Sequence, residues 1–176
     1  MARPLEVLVV DDNRDCADSV AELVRCWGYT ARVAYDGADA LRLAEEEPPD
    51  CLMLDINMPG LNGFAVAGQV RTDPRLRAAK LIAVSARAGP DYERRATDAG
   101  FDYILTKPAD PARLEEIFRM LENIVKLAEK TEELARQNVE LAGQTKQLLE
   151  EVKEDIREVK HDVKELKKEV RPGNGG

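Results

Sequence analysis

The sequence predicts an α/β fold, a parallel sheet covered by helices on both faces, followed by a long coiled-coil helix. Within the first 110 residues, short apolar or β-branched runs alternate with segments of helical spacing. Repeated strand–helix alternation of this kind is typical of a parallel sheet. From Pro111 onward the chain is rich in Glu, Lys, Leu, Val and Ala, and no proline appears until Pro172. Apolar residues there recur at alternating steps of three and four, which predicts a coiled coil.

Each predicted strand is a short run that is mostly β-branched or apolar, which favours burial on both faces of the sheet. The predicted strands are 5–10, 30–35, 51–54, 80–84 and 101–105. The segments between them carry apolar residues three or four positions apart, as Val20, Leu23 and Val24 do in the first one. The predicted helices are 15–27, 37–47, 64–71 and 91–99, and glycines mark several of their boundaries.

Composition and charge restrict the partners. The chain has 176 residues, and its net charge of −8 argues against nucleic acid and anionic membranes as partners. Its apolar runs are far shorter than the roughly 20 residues that a membrane span needs. The apolar stretch at the N-terminus is too short for a signal peptide. We therefore expect a cytoplasmic protein without nucleic-acid or membrane partners.

The cysteines are also consistent with a cytoplasmic location. Cys16, Cys26 and Cys51 are odd in number and lack the spacing of metal ligands. We interpret them as reduced thiols of a cytosolic protein rather than as a disulfide or a zinc site.

Polar residues stand at the ends of the predicted strands. Asp11 and Asp12 follow the first strand, Asp55 the third, Ser85 the fourth and Lys107 the fifth. Ligands bind outside the carboxyl ends of an open parallel sheet. If the first and third strands are neighbours, three carboxylates converge, and they would favour a hard divalent cation such as Mg²⁺. Taken singly, each acid could instead be a solvated residue without a ligand.

Four segments carry a family resemblance. VLVVDDN, LDINMPGLNG, AVSA and ILTKP occur in the order and spacing of a two-component response-regulator receiver domain of the chemotaxis-regulator kind. The resemblance covers about residues 4–120, and we place a receiver domain at 1–120. It implies a flavodoxin-like fold with strand order 2-1-3-4-5. It also implies a partner histidine kinase or phosphotransfer protein.

The resemblance assigns roles to the acidic residues. Asp55 matches the aspartate that accepts a phosphoryl group from a phosphohistidine. Asp12 matches the main Mg²⁺-binding acid, with Asp11 beside it, and Asn57 matches the residue whose backbone carbonyl completes the metal shell. Such a domain is not a conventional enzyme, although it catalyses its own phosphotransfer and autodephosphorylation. A degenerate receiver that cannot be phosphorylated is the alternative.

The resemblance also assigns the residues that would contact the phosphoryl group or move toward it. Lys107 matches the lysine that contacts the acyl phosphate, with a cis bond to Pro108, and Ser85 matches the hydroxyl that moves toward the phosphoryl group. Many receivers carry an aromatic residue at the position of Ile104, and here the aromatic residue is Tyr103. Because neighbouring strand residues point to opposite faces, we expect Tyr103 to face away from the site.

We predict one continuous coiled-coil helix over 114–170, which extends the last receiver helix. We predict a flexible tail at 171–176. At 1.5 Å per residue the helix would be roughly 85 Å long, and a helix of that length needs a partner. Leu114, Ile117, Leu121 and Ile124 begin the apolar series. The predicted oligomerisation seam comprises Leu127, Leu134, Asn138, Leu141, Leu148, Val152, Ile156, Val159, Val163 and Leu166.

The seam does not determine the number or the direction of the helices in the assembly. Two successive steps of four, from Leu148 to Val152 to Ile156, indicate a stutter. A buried Asn138 would fix register and strand number at a cost in stability. The sequence does not decide between dimer and tetramer or between parallel and antiparallel helices.

Three functional hypotheses follow. The first is a phosphorylation switch whose output is coiled-coil oligomerisation or partner binding. The second is a constitutive coiled-coil scaffold whose receiver is a phosphate sink or docking domain. The third is a fragment whose output domain lies beyond residue 176. The single histidine, His161, has an acid and an apolar residue after it, as in histidine kinases, but a solvated residue is the simpler interpretation.

Overall fold

The protein is a five-stranded parallel sheet with helices on both faces, followed by a long helix. The computed structural model describes residues 3–169. The strands are β1 (Glu6–Val10), β2 (Thr30–Ala34), β3 (Cys51–Asp55), β4 (Lys80–Ser85) and β5 (Tyr103–Thr106). The helices are α1 (Arg14–Cys26), α2 (Gly37–Glu46), α3 (Gly63–Thr72), α4 (Pro90–Asp98) and α5 (Pro111–Glu169).

The strand order is β2-β1-β3-β4-β5, which confirms the predicted flavodoxin-like topology. In the register of the central strands, Val10 of β1 lies beside Leu54 of β3. Asp55 lies beside Val84 of β4. The carboxyl ends of β1, β3 and β4 therefore meet at one edge, where the order reverses and ligands of such folds bind.

Each face of the sheet carries its own core. Leu8, Leu52 and Leu81 point to one face and pack with α2, α3 and α4. Val7, Met53 and Ile82 point to the other face and pack with α1 and the first turns of α5. All five residues of β3 are buried. The central strand β3 therefore has a continuous apolar run up to Asp55 because both of its faces are covered.

The helix starts are set by capping residues. Asn13, Asp36 and Asn62 each accept a hydrogen bond from a backbone N–H in the first turn of α1, α2 and α3. Such caps satisfy donors that have no partner within the helix. Gly63 begins α3 so close to β3 that an added Cβ would lie 2.6 Å from the carbonyl oxygen of Asp55. A side chain there would displace the strand end that carries Asp55.

The first turns of α5 correct one prediction. Leu114, Ile117 and Leu121 are at most 1% exposed and pack with Phe118 in the sheet core, so they are not part of a coiled-coil seam. Exposed apolar residues begin with Met120 and Ile124. The prediction was wrong there because a helix that docks on a sheet and a helix that pairs with another helix share the same apolar spacing.

The chain divides into two compact units between Leu127 and Ala128. In the second unit the described residues form helix α5, and the predicted seam residues from Leu134 to Leu166 are exposed. Val170 and the predicted tail at 171–176 lie outside the described residues, and the predicted domain bounds stay a prediction. Within residues 3–169 the structure has no helix with the length and apolarity that a membrane crossing requires.

Candidate functional site

Three carboxylates converge at the carboxyl edge of the sheet. Asp11 and Asp12 follow β1, and Asp55 is the last residue of β3. One carboxylate oxygen of each lies within 4.8 Å of the others. Asp11 and Asp55 are each only 6% exposed, whereas Asp12 is exposed. Like charges this close repel one another, so the cluster favours a cation between or beside its members.

Lys107 supplies one positive charge. Its Nζ donates a hydrogen bond of 2.7 Å to Oδ2 of Asp11 and one of 2.8 Å to Oδ2 of Asp55. Desolvation of the ammonium lowers the pKa of Lys107, but the hydrogen bonds from both aspartates and their charges outweigh it and raise that pKa. Lys107 is therefore charged throughout the physiological range, and it bridges β1 and β3 from the end of β5.

The other oxygens of these aspartates hold the adjoining loops. Oδ1 of Asp11 accepts a hydrogen bond of 2.9 Å from the backbone N–H of Asn13. Oδ1 of Asp55 accepts one of 2.9 Å from the backbone N–H of Asn57. Each buried carboxylate is thus fixed by a loop amide on one oxygen and by Lys107 on the other. This arrangement orients both carboxylates toward the lysine.

Ser85 ends β4 and is fully buried. Its Oγ accepts hydrogen bonds from the backbone N–H of Arg87 at 3.0 Å and from Nδ2 of Asn57 at 3.4 Å. The hydroxyl donates a hydrogen bond of 2.8 Å to Oη of Tyr92 on α4. The structure therefore places Ser85 at the edge that carries Asp55, with its hydroxyl already engaged by α4.

Tyr92 was missed by sequence reasoning. Its ring packs edge-to-face on Phe64 of α3, with centroids 5.9 Å apart. Ile104, predicted as a switch residue, packs with the same core, while Tyr103 packs on the opposite face of the sheet as expected. The sequence carries a weak signal, an aromatic residue in the first turn of the helix after Ser85, but nothing in it shows that the ring turns toward the hydroxyl.

The predicted backbone feature at Lys107 is present, since the Lys107–Pro108 peptide bond is cis. The backbone N–H of Lys107 donates a hydrogen bond of 2.8 Å to the carbonyl oxygen of Ser85. This bond joins the end of β5 to the end of β4. The lysine side chain is thereby directed back across the sheet edge toward the aspartates.

The donor set fits a divalent cation. Oxygen ligands from two or three carboxylates suit Mg²⁺, which retains several waters in protein sites. Asp11, Asp12 and Asp55 offer such oxygens at the carboxyl edge of the sheet. Receiver domains bind Mg²⁺ at an acidic cluster of this kind.

The fold and this cluster define a flavodoxin-like α/β domain with an acidic edge. Residues 7–119 match the model of the response regulator receiver domain. The match covers more than half of the chain, which therefore belongs to the response-regulator receiver family of two-component systems.

Individual relatives agree. A 14.6 kDa uncharacterized protein in the sodA1 3′ region of Leptolyngbya boryana is 36% identical over 110 residues, 62% of this chain and 84% of that protein. The transcriptional regulatory protein PrrA of Mycobacterium bovis is 40% identical over 102 residues, 58% of this chain and 43% of PrrA. The chain thus spans less than half the length of PrrA.

Solved structures show the same fold. The chemotaxis protein CheY4 of Vibrio cholerae has a TM-score of 0.64 at 25% identity, covering 67% of this chain and 98% of CheY4. A CheY-like response regulator receiver domain from Methylobacillus flagellatus has a TM-score of 0.60 at 30% identity, covering 67% and 98%. The recognised part of this chain is therefore a receiver, and members of this family are typically not conventional enzymes.

Proposed function

We propose that this chain is a phosphorylation-dependent switch that accepts a phosphoryl group on Asp55 from a histidine kinase or a phosphotransfer protein. The observation that carries the proposal is the position of Asp55. Its carboxylate ends the central strand of the sheet and is bonded to Lys107, beside Asp11 and Asp12. A nucleophile held rigidly beside a cation that can receive the phosphoryl oxygens is suited to attack a phosphoryl donor.

The transfer exchanges one bond for another. A carboxylate oxygen of Asp55 attacks the phosphorus of the phosphohistidine, a P–O bond forms and the P–N bond breaks. The histidine ring leaves as neutral imidazole if its other ring nitrogen carries a proton. Lys107, already 2.8 Å from Asp55, then neutralises a phosphoryl oxygen. Hydrolysis of the resulting acyl phosphate by water returns the receiver to its starting state.

Asp11, Asp12, Asp55 and the backbone carbonyl of Asn57 would hold Mg²⁺. The ion, when bound, supplies charge neutralisation for the phosphoryl oxygens. Asp11 would contact both Lys107, which already donates to its Oδ2, and the metal ion. This shared use of Asp11 links metal binding to the position of the lysine.

The output of the switch follows from Ser85 and the coil. A phosphoryl group adds about −1.5 to −2 charges and three acceptor oxygens beside Ser85. The Ser85 hydroxyl, with Ile104 of β5 near α4, would shift toward the phosphoryl group and rearrange the face formed by α4, β5 and the start of α5. We propose that the readout is a change in coiled-coil oligomerisation or in partner binding.

The test combines covalent labelling with assembly measurements. Acetyl phosphate with Mg²⁺ should add one phosphoryl mass to the wild type and none to Asp55→Asn, as read by intact-protein mass spectrometry. EDTA should prevent the addition. Light scattering with and without beryllofluoride then tests the output. If beryllofluoride changed neither the assembly nor the affinity for any partner, the proposed switch would be wrong, although Asp55 would still be a phosphoacceptor.

A constitutive scaffold is the second candidate. The division of the chain into two compact units favours it, because the second unit could pair without reference to the first. Thermal melting of the α5 assembly discriminates the two. A shift of its midpoint with beryllofluoride supports coupling, whereas an identical midpoint supports the scaffold.

A further inference from the structure

The outer part of α5 carries an apolar stripe, which we call the seam. The apolar members of the seam, from Leu127 to Leu166, are between 45% and 67% exposed in the single chain. At 1.5 Å per residue this stripe is about 60 Å long. From the seam and its flanking charges we infer that α5 pairs with α5 of a second copy as a parallel, in-register, two-stranded coiled coil. This inference rests on the proposed oligomerisation and gives it one geometry.

The alternation of steps defines two kinds of seam position. Leucines occupy the position d at Leu127, Leu134, Leu141 and Leu148. The position a between them holds Thr131, Asn138 and Thr145. All the polar residues of this half of the seam are therefore at one of the two positions.

That segregation favours the parallel arrangement. In a parallel in-register pair each a residue meets its own copy, so Asn138 meets Asn138 and the leucines meet leucines. In an antiparallel pair a faces d, and Asn138 would face a leucine. A buried amide without a hydrogen-bond partner is destabilising. Only the in-register pairing gives the Asn138 amide a partner and keeps the leucine layers intact.

The charges beside the seam give a second, independent indication. After the step from Val152 to Ile156, the flanking position g holds Asp155 and Asp162, and the flanking position e holds Lys160 and Lys167. All four side chains are exposed. In a parallel pair, g of one helix approaches e of the other five residues on. Asp155 then meets Lys160, and Asp162 meets Lys167, twice each by symmetry.

An antiparallel pair would reverse this complementarity. There g faces g and e faces e, so acids would meet acids and lysines would meet lysines. The lysine, arginine and glutamate side chains that pair within α5 lie elsewhere, as in Lys153 with Glu150 at 2.7 Å and Arg157 with Glu154 at 2.6 Å. Oδ1 of Asp162 lies 3.7 Å from Nδ1 of its neighbour His161. Within residues 3–167, Asp155 and Lys160 take part in no ion pair closer than 4 Å. They are therefore available to a second helix.

The seam also favours two strands over four. β-branched residues at position a combined with leucine at position d are typical of two-stranded parallel coils. Position a holds Ile124 before the polar layers, then Val152, Ile156 and Val163. Position d is leucine throughout the first half. The pair would attach both receivers at the N-terminal ends of the two helices.

A charge reversal tests the orientation. Lys160→Glu with Lys167→Glu in the full chain puts Asp and Glu opposite each other in a parallel pair. We expect the dissociation constant of the dimer, measured by analytical ultracentrifugation at low salt, to rise about tenfold or more. An antiparallel pair would exchange Lys–Lys contacts for Glu–Glu contacts, so an unchanged constant would overturn the parallel geometry.

Two controls sharpen the result. Lys153→Glu with Lys164→Glu makes the same change in charge on the outer face, and it should leave the constant within about twofold of wild type. Asp155→Lys with Asp162→Lys should restore tight pairing when mixed with the first variant. If the outer-face control also weakened the dimer, or if mixing the two variants did not restore tight pairing, the effect would come from net charge. The proposed pairs of Asp155 with Lys160 and Asp162 with Lys167 would then be wrong.

A cross-link tests the register and separates this inference from the proposed function. Asn138→Cys, in a chain with Cys16→Ser and Cys26→Ser, should form a disulfide between two copies under mild oxidation, because equal a positions adjoin. A dimer without this disulfide, or a tetramer by light scattering, would overturn the geometry alone. Failure of phosphoryl addition at Asp55 with the disulfide intact would overturn only the proposed function, and a monomer at all concentrations would overturn the pairing.

Discussion

At the scale of single residues, the hydroxyl of Ser85 is the contact through which the site reaches α4. It donates to Tyr92 at 2.8 Å while accepting from Arg87 and Asn57. A phosphoryl group on Asp55 would compete for this hydroxyl. The bond to Tyr92 therefore stabilises the unphosphorylated arrangement, and its loss should favour the phosphorylated one.

Tyr92→Phe removes that bond and retains the ring on Phe64. We expect beryllofluoride with Mg²⁺ to bind more tightly, by up to about tenfold, because one hydrogen bond contributes about 0.5–1.5 kcal/mol. Isothermal titration calorimetry measures the affinity. Tyr103→Phe is the matched control, since Tyr103 packs on the other face of the sheet and should leave the affinity unchanged. Equal or weaker binding by Tyr92→Phe would contradict this role.

Lys107 bonds to two buried carboxylates, those of Asp11 and Asp55. In Lys107→Met, Asp11 and Asp55 lose their shared counter-charge, and we expect the free energy of unfolding in EDTA to fall by about 2–3 kcal/mol. Mg²⁺ should restore part of this loss, so the variant should gain more from Mg²⁺ than the wild type does. Urea unfolding with and without Mg²⁺ checks both effects.

Lys126→Met is the control for that comparison. Lys126 pairs with Glu122 on the surface of α5, at 2.6 Å. Surface ion pairs contribute about 0–1 kcal/mol. We therefore expect a small loss with no dependence on Mg²⁺. If Lys107→Met lost the same stability with and without Mg²⁺, Lys107 would stabilise the fold, but it would not share Asp11 and Asp55 with the metal ion.

At the scale of elements, Asp102 joins three parts of the receiver just before β5. Its carboxylate accepts hydrogen bonds from the backbone N–H of Leu81 at 2.9 Å, from Arg71 of α3 at 2.7 Å and from Lys80 at 3.0 Å. Desolvation would raise the pKa of Asp102, but these hydrogen bonds and charges outweigh it and lower that pKa. The edge strand is thus tied to the start of β4 by an ionised group.

These contacts of Asp102 predict that the free energy of unfolding depends on pH. The folded pKa of Asp102 lies below its unfolded value, so its contribution to stability is full above about pH 4 and is lost as the pH falls through the folded pKa. We expect Asp102→Asn to lose about 1 kcal/mol at pH 7 because the carboxylate is partly exposed. Urea unfolding at several pH values should show this difference shrink below about pH 4. A loss of stability in Asp102→Asn that does not change with pH would contradict the assignment.

The elements also show how far the sequence alone reaches. The strands and the polar residues at their ends could be predicted, because alternation of apolar runs and strand-end chemistry are local in the sequence. The strand order was implied only by the family resemblance. The contact of Tyr92 with Ser85 could not, since it depends on how α4 packs against the sheet. The change at Ile124 from core to exposed stripe could not either, because periodicity records that a face is apolar and not what covers it.

At the scale of the whole molecule, the receiver and the outer part of α5 are separate compact units joined by one helix. Assembly through the seam would therefore bring receivers together without altering the core of either one. The seam balances stability against specificity, since Asn138 places an amide among its leucines. Its function would be to exclude other registers and larger assemblies.

Asn138→Leu tests that balance. Replacing the amide by an apolar side chain should tighten the assembly by about tenfold or more, because a buried polar group contributes less than an apolar one at this position. The variant should also lose its single stoichiometry and form larger species. Sedimentation velocity measures both, with Glu140→Leu, which adds the same side chain outside the seam, as the control. A variant that remains a pure dimer of unchanged affinity would show that Asn138 is not buried between helices, and the seam would then have to pair through another face of α5.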